Sequence, residues 1–293
     1  MRRWLPVLLL LTACSSTQSP APPVASPSVT TSASTVSSAS TVSSSARTGA
    51  TRFDHVVVVI EENHSYGDII GNSDAPYINE LAKRGVNFSS SYGVTHPSEP
   101  NYLALFSGST QGVNDDGCDY SFSAPNLAAQ LTAAGKTFTG YAEGLPSVGF
   151  TGCTSGKYAK KHAPWAYFPD LPKQVNQPFA NFPSDFAGLP SVSFVIPNLD
   201  NDMHNGSVSA GDTWLRDHID SYARWAPQHN SLLVVTWDED DSSSDNHIPT
   251  VMVGAGLQSG TNSTRIDHYR VLATILASQG LTGIAKASNP ITL

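Results

Sequence analysis

Two stretches of this chain, His55–Val56–Val57–Val58–Val59–Ile60 and Ser231–Leu232–Leu233–Val234–Val235–Thr236, run apolar almost without a break. A strand with one face in water alternates apolar and polar residues, whereas a strand apolar at successive positions is buried on both faces. That is the condition of a parallel sheet covered by helices on both sides. Segments of helical spacing fall where such a sheet needs them. They are 75–85 (Tyr77, Ile78 and Leu81 on one face), 126–135 with a closing glycine, 210–225 (Trp214, Leu215, Ile219, Tyr222) and 267–278. Further short strands are expected at 137–141, 192–196 and 248–253. The alternation predicts an α/β fold, a mainly parallel sheet with helices on both faces, in one domain spanning 51–293. Residues 144–190 are rich in proline, glycine and aromatics and lack a period, so they are expected to pass over one edge of the sheet.

The first fifty residues have a different composition. Arg2 and Arg3 precede a short apolar run from Trp4 to Leu11, as in an export signal, and the run is too short for a permanent membrane span. Leu11–Thr12–Ala13–Cys14 then resembles the bacterial lipobox, which implies lipidation of Cys14 and attachment to a membrane surface. The reading is a lipoprotein signal at 1–14 and an exported, lipid-tethered or secreted domain. Residues 15–50 hold 13 Ser and 6 Thr and a single charge, Arg47. Such a stretch buries too little apolar surface to offset its ordering entropy and is expected to act as a disordered spacer. With Cys14 assigned, Cys118 and Cys153 are left, and in an exported protein they are expected to pair. A net charge of −8 with no basic stripe speaks against nucleic acid as a partner, and a monomer is expected.

The residues that carry chemistry follow the strands. The first apolar run ends in Glu61–Glu62–Asn63–His64–Ser65, and the second in Trp237–Asp238–Glu239–Asp240–Asp241. Sites in α/β sheets form at the carboxyl ends of strands, so the two acidic clusters are expected to meet there. Carboxylates gathered at one buried rim need a cation or protons to neutralise them. Oxygen ligands without cysteine suit a hard divalent ion, Mg²⁺, Ca²⁺ or Mn²⁺. Asp240, Asp241 and Asp245 are equally well explained as solvated loop residues. Between the clusters lies Thr95–His96–Pro97–Ser98–Glu99–Pro100–Asn101, a loop that turns into a helix. Ser98 at that helix start is either a cap or a nucleophile beside free backbone N–H groups. His96 and Glu99 either line the pocket or face solvent. A third cluster, Asn198–Leu199–Asp200–Asn201–Asp202–Met203–His204, offers metal ligands, a phosphate contact or a general acid. His247 and His268 are further candidates for phosphate contact.

Three of these segments together resemble the bacterial phosphoesterase family, which contains phospholipases C and secreted acid phosphatases and is related in fold to alkaline phosphatases. Glu62–Asn63–His64–Ser65–Tyr66 resembles its Glu–Asn–Arg–Ser–Phe motif. Ser98–Glu99–Pro100–Asn101 stands where the family has Thr–x–Pro–Asn, and Trp237–Asp238–Glu239 resembles its Tyr–Asp–Glu. The run 95–108, the 198–204 cluster and Gly211–Asp212–Thr213–Trp214 are most similar to the small secreted acid phosphatases, some of which act on phosphoinositides. The resemblance implies a phosphate ester as substrate and one divalent ion held by Glu62, Asn63, Asp238 and Glu239. It also implies Ser98 as a nucleophile forming a phosphoseryl intermediate, and His204 as the general acid, oriented by Asp202 or Asp200. Asp200, Asn101, His247 and His268 would line the substrate. The spacing of Asp200 and His204 is similar to that of second-metal ligands in alkaline phosphatases, which leaves a two-metal site open. An acidic optimum follows if a histidinium takes part. His64 in place of Arg, and no His–Gly–Gly after Glu239, depart from the phospholipases. Phosphodiester cleavage is therefore the alternative reading, and a non-catalytic surface lipoprotein a second.

Overall fold

The computed structural model describes residues 51–293; Cys14, the signal and the 15–50 spacer lie outside the described residues. Its centre is an eight-stranded sheet in the order Gly260–Asn262, Val86–Phe88, Thr250–Gly254, Ser231–Trp237, His55–Glu61, Val192–Ile196, Phe138–Ala142, Asn176–Pro178. Thr250–Gly254 alone runs antiparallel to its neighbours; the other pairings are parallel. The two apolar runs are adjacent and central, in register from His55 opposite Ser231 to Glu61 opposite Trp237.

Alternation along the central strand feeds two cores. Val56, Val58 and Ile60 pack on the face covered by the helices Ser98–Ser107, Leu127–Ala133 and His268–Ser278. Val57 and Val59 pack on the other face, under Pro76–Arg84 and Val208–Trp225. The helix Ser98–Ser107 is buried along its whole length, as expected for a helix with no polar face. Pro76–Arg84 has no capping side chain of its own. Asp212 of the neighbouring helix supplies one, accepting from the Tyr77 and Ile78 N–H groups at 3.1 and 2.8 Å.

Two expectations need correction. The run 248–253 is not one strand: His247–Ile248 joins a separate three-stranded sheet, and Thr250–Gly254 the main one. Pro249 lies at the break, where its missing N–H cannot serve a ladder. The excursion at 144–190 does more than cross an edge. It contributes the edge strand Asn176–Pro178 and a small hairpin, Thr154–Ser155 with Tyr158–Ala159. Its Trp165 lies flat on Gly140, where an added Cβ would come within 2.2 Å of the indole. The Trp165 Nε1–H donates to Asn176 Oδ1 at 2.8 Å. This packing fixes the short turn Lys160–His162 against the sheet.

Cys118 and Cys153 are joined in a disulfide across 35 residues, as expected. A loop of that size contributes on the order of 3–4 kcal/mol in the chain-entropy model. The double variant Cys118→Ser/Cys153→Ser should therefore melt about 10 °C lower by calorimetry. An unchanged midpoint would mean that packing alone holds the hairpin. No described helix is long and apolar enough to cross a membrane.

Candidate active site

At the carboxyl ends of the two central strands, alternation decides which carboxylate faces where. Glu61, in phase with Val57 and Val59, turns to the face of Val208–Trp225. It is fully buried there and neither carboxyl oxygen has a hydrogen-bond partner. Burial, then the charges of Asp202, Glu143 and Asp212, raise its pKa well above the usual carboxylate range. Glu62 turns to the opposite face and meets Ser98. Ser98 is the first residue of its helix, with Pro97 as cap residue and no capping side-chain bond. The cap reading is thus excluded. Its Oγ lies 3.1 Å from Glu62 Oε2 and 3.1 Å from Glu239 Oε1, and its single hydrogen serves one of them at a time.

Around this serine the structure gathers Glu62, Asn63, Asp238 and Glu239. Asn63, at positive φ of 37°, donates from Nδ2 to Glu239 Oε1 at 2.7 Å. Tyr102 donates its hydroxyl to Glu62 Oε1 at 2.6 Å. Asn63 Oδ1 and Asp238 Oδ2 are buried and have no partner. Glu62 and Asp238 are both pushed well above the carboxylate range, first by burial and then by a neighbouring carboxylate. Burial also raises Glu239, which His96 opposes from 2.7 Å. Oxygen donors only, two of them orphaned, are the donor chemistry a hard divalent cation takes, and binding one would draw the desolvated carboxylates closer together than they stand.

His162 carries no signal in the sequence. It comes from the aperiodic excursion, is 1% exposed, and stacks on Tyr102 with ring centroids 5.0 Å apart. Its Nε2 is 3.0 Å from Glu62 Oε1 and its Nδ1 3.3 Å from Asp202 Oδ2. Burial and the nearby Lys161 and His204 hold its pKa well below the usual histidine range. His96 lines the pocket rather than facing solvent: it bridges Glu239 and Asp240.

The third cluster divides. Asp202 is fully buried and its carboxyl is pushed up to about 7, chiefly by burial. It accepts from the His204 backbone N–H at 2.8 Å, so it fixes the loop and not the His204 ring. His204 is exposed, with its ring 6.0 Å from that of His162, at the mouth of the site. Asp200 does not join the site: its carboxylate pairs with Lys157 at 2.8 Å near the surface. The other proposed substrate contacts are structural. His247 is sandwiched between Tyr66 and Tyr92, with Nε2 3.1 Å from the Ser89 carbonyl. His268 is buried, and its Nε2 lies 2.5 Å from the Asp238 carbonyl, so it supports the strand end from behind. Asn101 spends its amide on the 94–97 loop and Glu239. Asp240 is not a solvated loop residue. It is 1% exposed and accepts from the Ser242, Ser244 and Asn246 N–H groups.

The largely parallel sheet with helices on both faces is a fold shared with solved structures of low sequence identity. Among them, a protein in the alkaline phosphatase superfamily from Vibrio parahaemolyticus matches with TM-score 0.58 and 14% identity, over 82% of this chain and 71% of the other. The lipoteichoic acid synthase LtaP of Listeria monocytogenes matches with TM-score 0.58 and 11% identity, over 82% and 76%. The model of the Phosphoesterase family matches residues 71–282, and the chain belongs to that family. A phosphatidylinositol-3-phosphatase of Mycobacterium tuberculosis is 52% identical over 84% of each chain. An acid phosphatase of Aspergillus fumigatus is 29% identical over 80% of this chain, which spans just over half (56%) of the fungal protein. The chain is a phosphate ester hydrolase.

Proposed function

We propose that this enzyme is an exported, metal-dependent acid phosphatase, tethered through Cys14, that hydrolyses phosphate monoesters through a phosphoserine at Ser98, with phosphoinositides as its substrate class. The observation that carries the reading is Ser98 Oγ, buried at a helix start within 3.1 Å of both Glu62 and Glu239. The name of the 52% identical relative supports the substrate class. Glu62, Asn63, Asp238, Glu239 and Ser98 would hold the cation, which supplies charge neutralisation and polarisation of the phosphoryl group when bound. Ser98 Oγ attacks phosphorus in line at the positive end of its helix dipole, which favours the phosphoryl anion even though the Glu99 N–H is already given to Asp116. His204, at the mouth, gives a proton to the departing alcohol. Water then releases phosphate from Ser98. His162 packs between Glu62 and Asp202 on the inner wall.

Chelation tests the metal. Dialysis against EDTA should lower hydrolysis of p-nitrophenyl phosphate by at least ~100-fold, with recovery on adding back one of Mg²⁺, Ca²⁺ or Mn²⁺. Full activity in protein shown metal-free by elemental assay would overturn that part. A phosphocholine diester under the same conditions should be cleaved poorly; preferential cleavage would favour the phospholipase reading.

A further inference from the structure

From residue 51 onward the chain holds thirteen Lys and Arg, and three of them fall within five residues, Lys157, Lys160 and Lys161, immediately before His162. In a protein of net charge −8 that concentration at the mouth of a site for anions is the strongest charge feature the mechanism leaves unused. Lys160 is accounted for structurally: it is buried, bonds the Cys118 carbonyl at 3.0 Å and lies over the Tyr167 ring. The other two are not consumed in this way. Lys157 keeps 54% of its side chain exposed and pairs with the half-exposed Asp200. Lys161, its side chain 19% exposed, pairs at 2.8 Å with Asp116, 32% exposed. The Lys157 pair, open to solvent, is held weakly and readily exchanged, and the half-buried Lys161 lies at the inner end of the same stretch, beside His162.

Side-chain bonds tie the two ammonium groups to different segments around the site, Lys157 to Asp200 of the 198–204 loop and Lys161 to Asp116. The Lys157 carbonyl accepts from Leu199 N–H at 3.1 Å, at the root of the loop that carries Asp202 and His204. Lys161 bonds Asp116 Oδ2, whose other oxygen accepts from the N–H of Glu99, next to Ser98. If His204 protonates the departing oxygen, the alcohol of the substrate leaves on the Lys157 side. We propose that Lys157 and Lys161 bind a second anionic group, carried by the alcohol part of the substrate, and so favour phosphate esters bearing a further phosphate or phosphodiester over simple monoesters. This rests on the phosphomonoesterase reading above. A phosphoinositide meets the requirement in two ways, through a second ring phosphate or through the diester that joins the ring to the lipid.

Steady-state kinetics on the full chain with p-nitrophenyl phosphate, inositol 1,3-bisphosphate and micelle-free dioctanoyl phosphatidylinositol 3-phosphate separate these cases. In Lys157→Gln, Lys161→Gln and the double variant, KM for the inositol esters should rise about tenfold for each charge-assisted hydrogen bond removed, with little change in kcat. KM for the aryl phosphate should change far less, and Lys157→Arg should restore most of the affinity. In the wild type, KM for the inositol esters should climb with added NaCl, and the double variant should flatten that dependence. Weakened binding of both inositol esters identifies any second anion as the ligand, and weakened binding of the lipid alone identifies the diester. Equal effects on all three substrates, or none on any, overturn the proposal. Wild-type enzyme that cleaves the aryl phosphate but neither inositol ester overturns the phosphoinositide reading instead, before any variant is compared.

Discussion

Ser98→Ala is expected to reduce turnover of p-nitrophenyl phosphate by at least ~10³-fold, because nothing else at the site can take the nucleophile's place. The nearest hydroxyl, that of Tyr102, is committed to Glu62 Oε1 at 2.6 Å, and its pKa is raised well above 10, chiefly by burial. The fold should not register the change. Ser98 makes no capping bond, and the two carboxylates it touches keep other donors: Tyr102 on Glu62, Asn63 and Asn101 on Glu239. Thermal melts of variant and wild type should therefore coincide within a few degrees. A second readout is independent of turnover. Acid quenching with a ³²P-labelled monoester should leave acid-stable label on the wild type and none on the variant. Label retained in Ser98→Ala would move the nucleophile elsewhere, and retained activity would remove serine from the mechanism altogether.

How much of this site is legible in the sequence depends on what local pattern encodes. The two apolar runs announce themselves because a doubly buried strand has no polar face to hide, and the residues that follow such strands must emerge at the sheet's carboxyl edge. Glu62, Asn63, Asp238 and Glu239 stand out for that reason, Ser98 stands out by its place at a helix start, and they do converge. Which of Glu61 and Glu62 faces the serine is also implicit, since a strand flips its side chains at every step. The histidines are not legible. His247 and His268 flank regular elements as functional histidines do, yet one is sandwiched by tyrosines and the other holds a carbonyl from behind. His162, which reaches Glu62 and Asp202, sits in a segment without period. Its place is decided by Trp165 on Gly140, by Tyr102 beneath its ring, and by a hairpin tied through Cys153 to Cys118. None of these contacts is local, so no window of sequence around residue 162 contains them.

Asp238→Asn should produce opposite effects on activity and on the stability of the metal-free protein. In metal-free protein, Asp238 and Glu62 are buried beside other carboxylates, and both have their pKa raised well above the unfolded range. The native state then binds more protons than the unfolded chain at every pH between the unfolded value, about 4, and the raised native one. Stability of EDTA-treated protein must accordingly fall as pH climbs through that window. No loss arises below about pH 4, where both states are protonated, and the loss is complete once pH exceeds the native value. A carboxamide at 238 removes one charge from the cluster, leaves the shape and lessens the desolvation cost. In EDTA at pH 8 the variant should melt several degrees above the wild type, given that each kcal/mol moves the midpoint of a domain this size by about 2–4 °C. The two curves should meet near pH 4. With divalent ion added the order reverses, because the wild type gains binding free energy that the variant, short of one anionic ligand, largely forgoes. Hydrolysis of the aryl phosphate should drop by at least ~100-fold at all metal concentrations below saturation of the variant. A variant less stable than wild type in EDTA at pH 8 would mean that Asp238 is held there by hydrogen bonds rather than strained by its neighbours. Its two oxygens argue otherwise, since one has no partner and the other only a 3.5 Å contact from the Asn63 N–H.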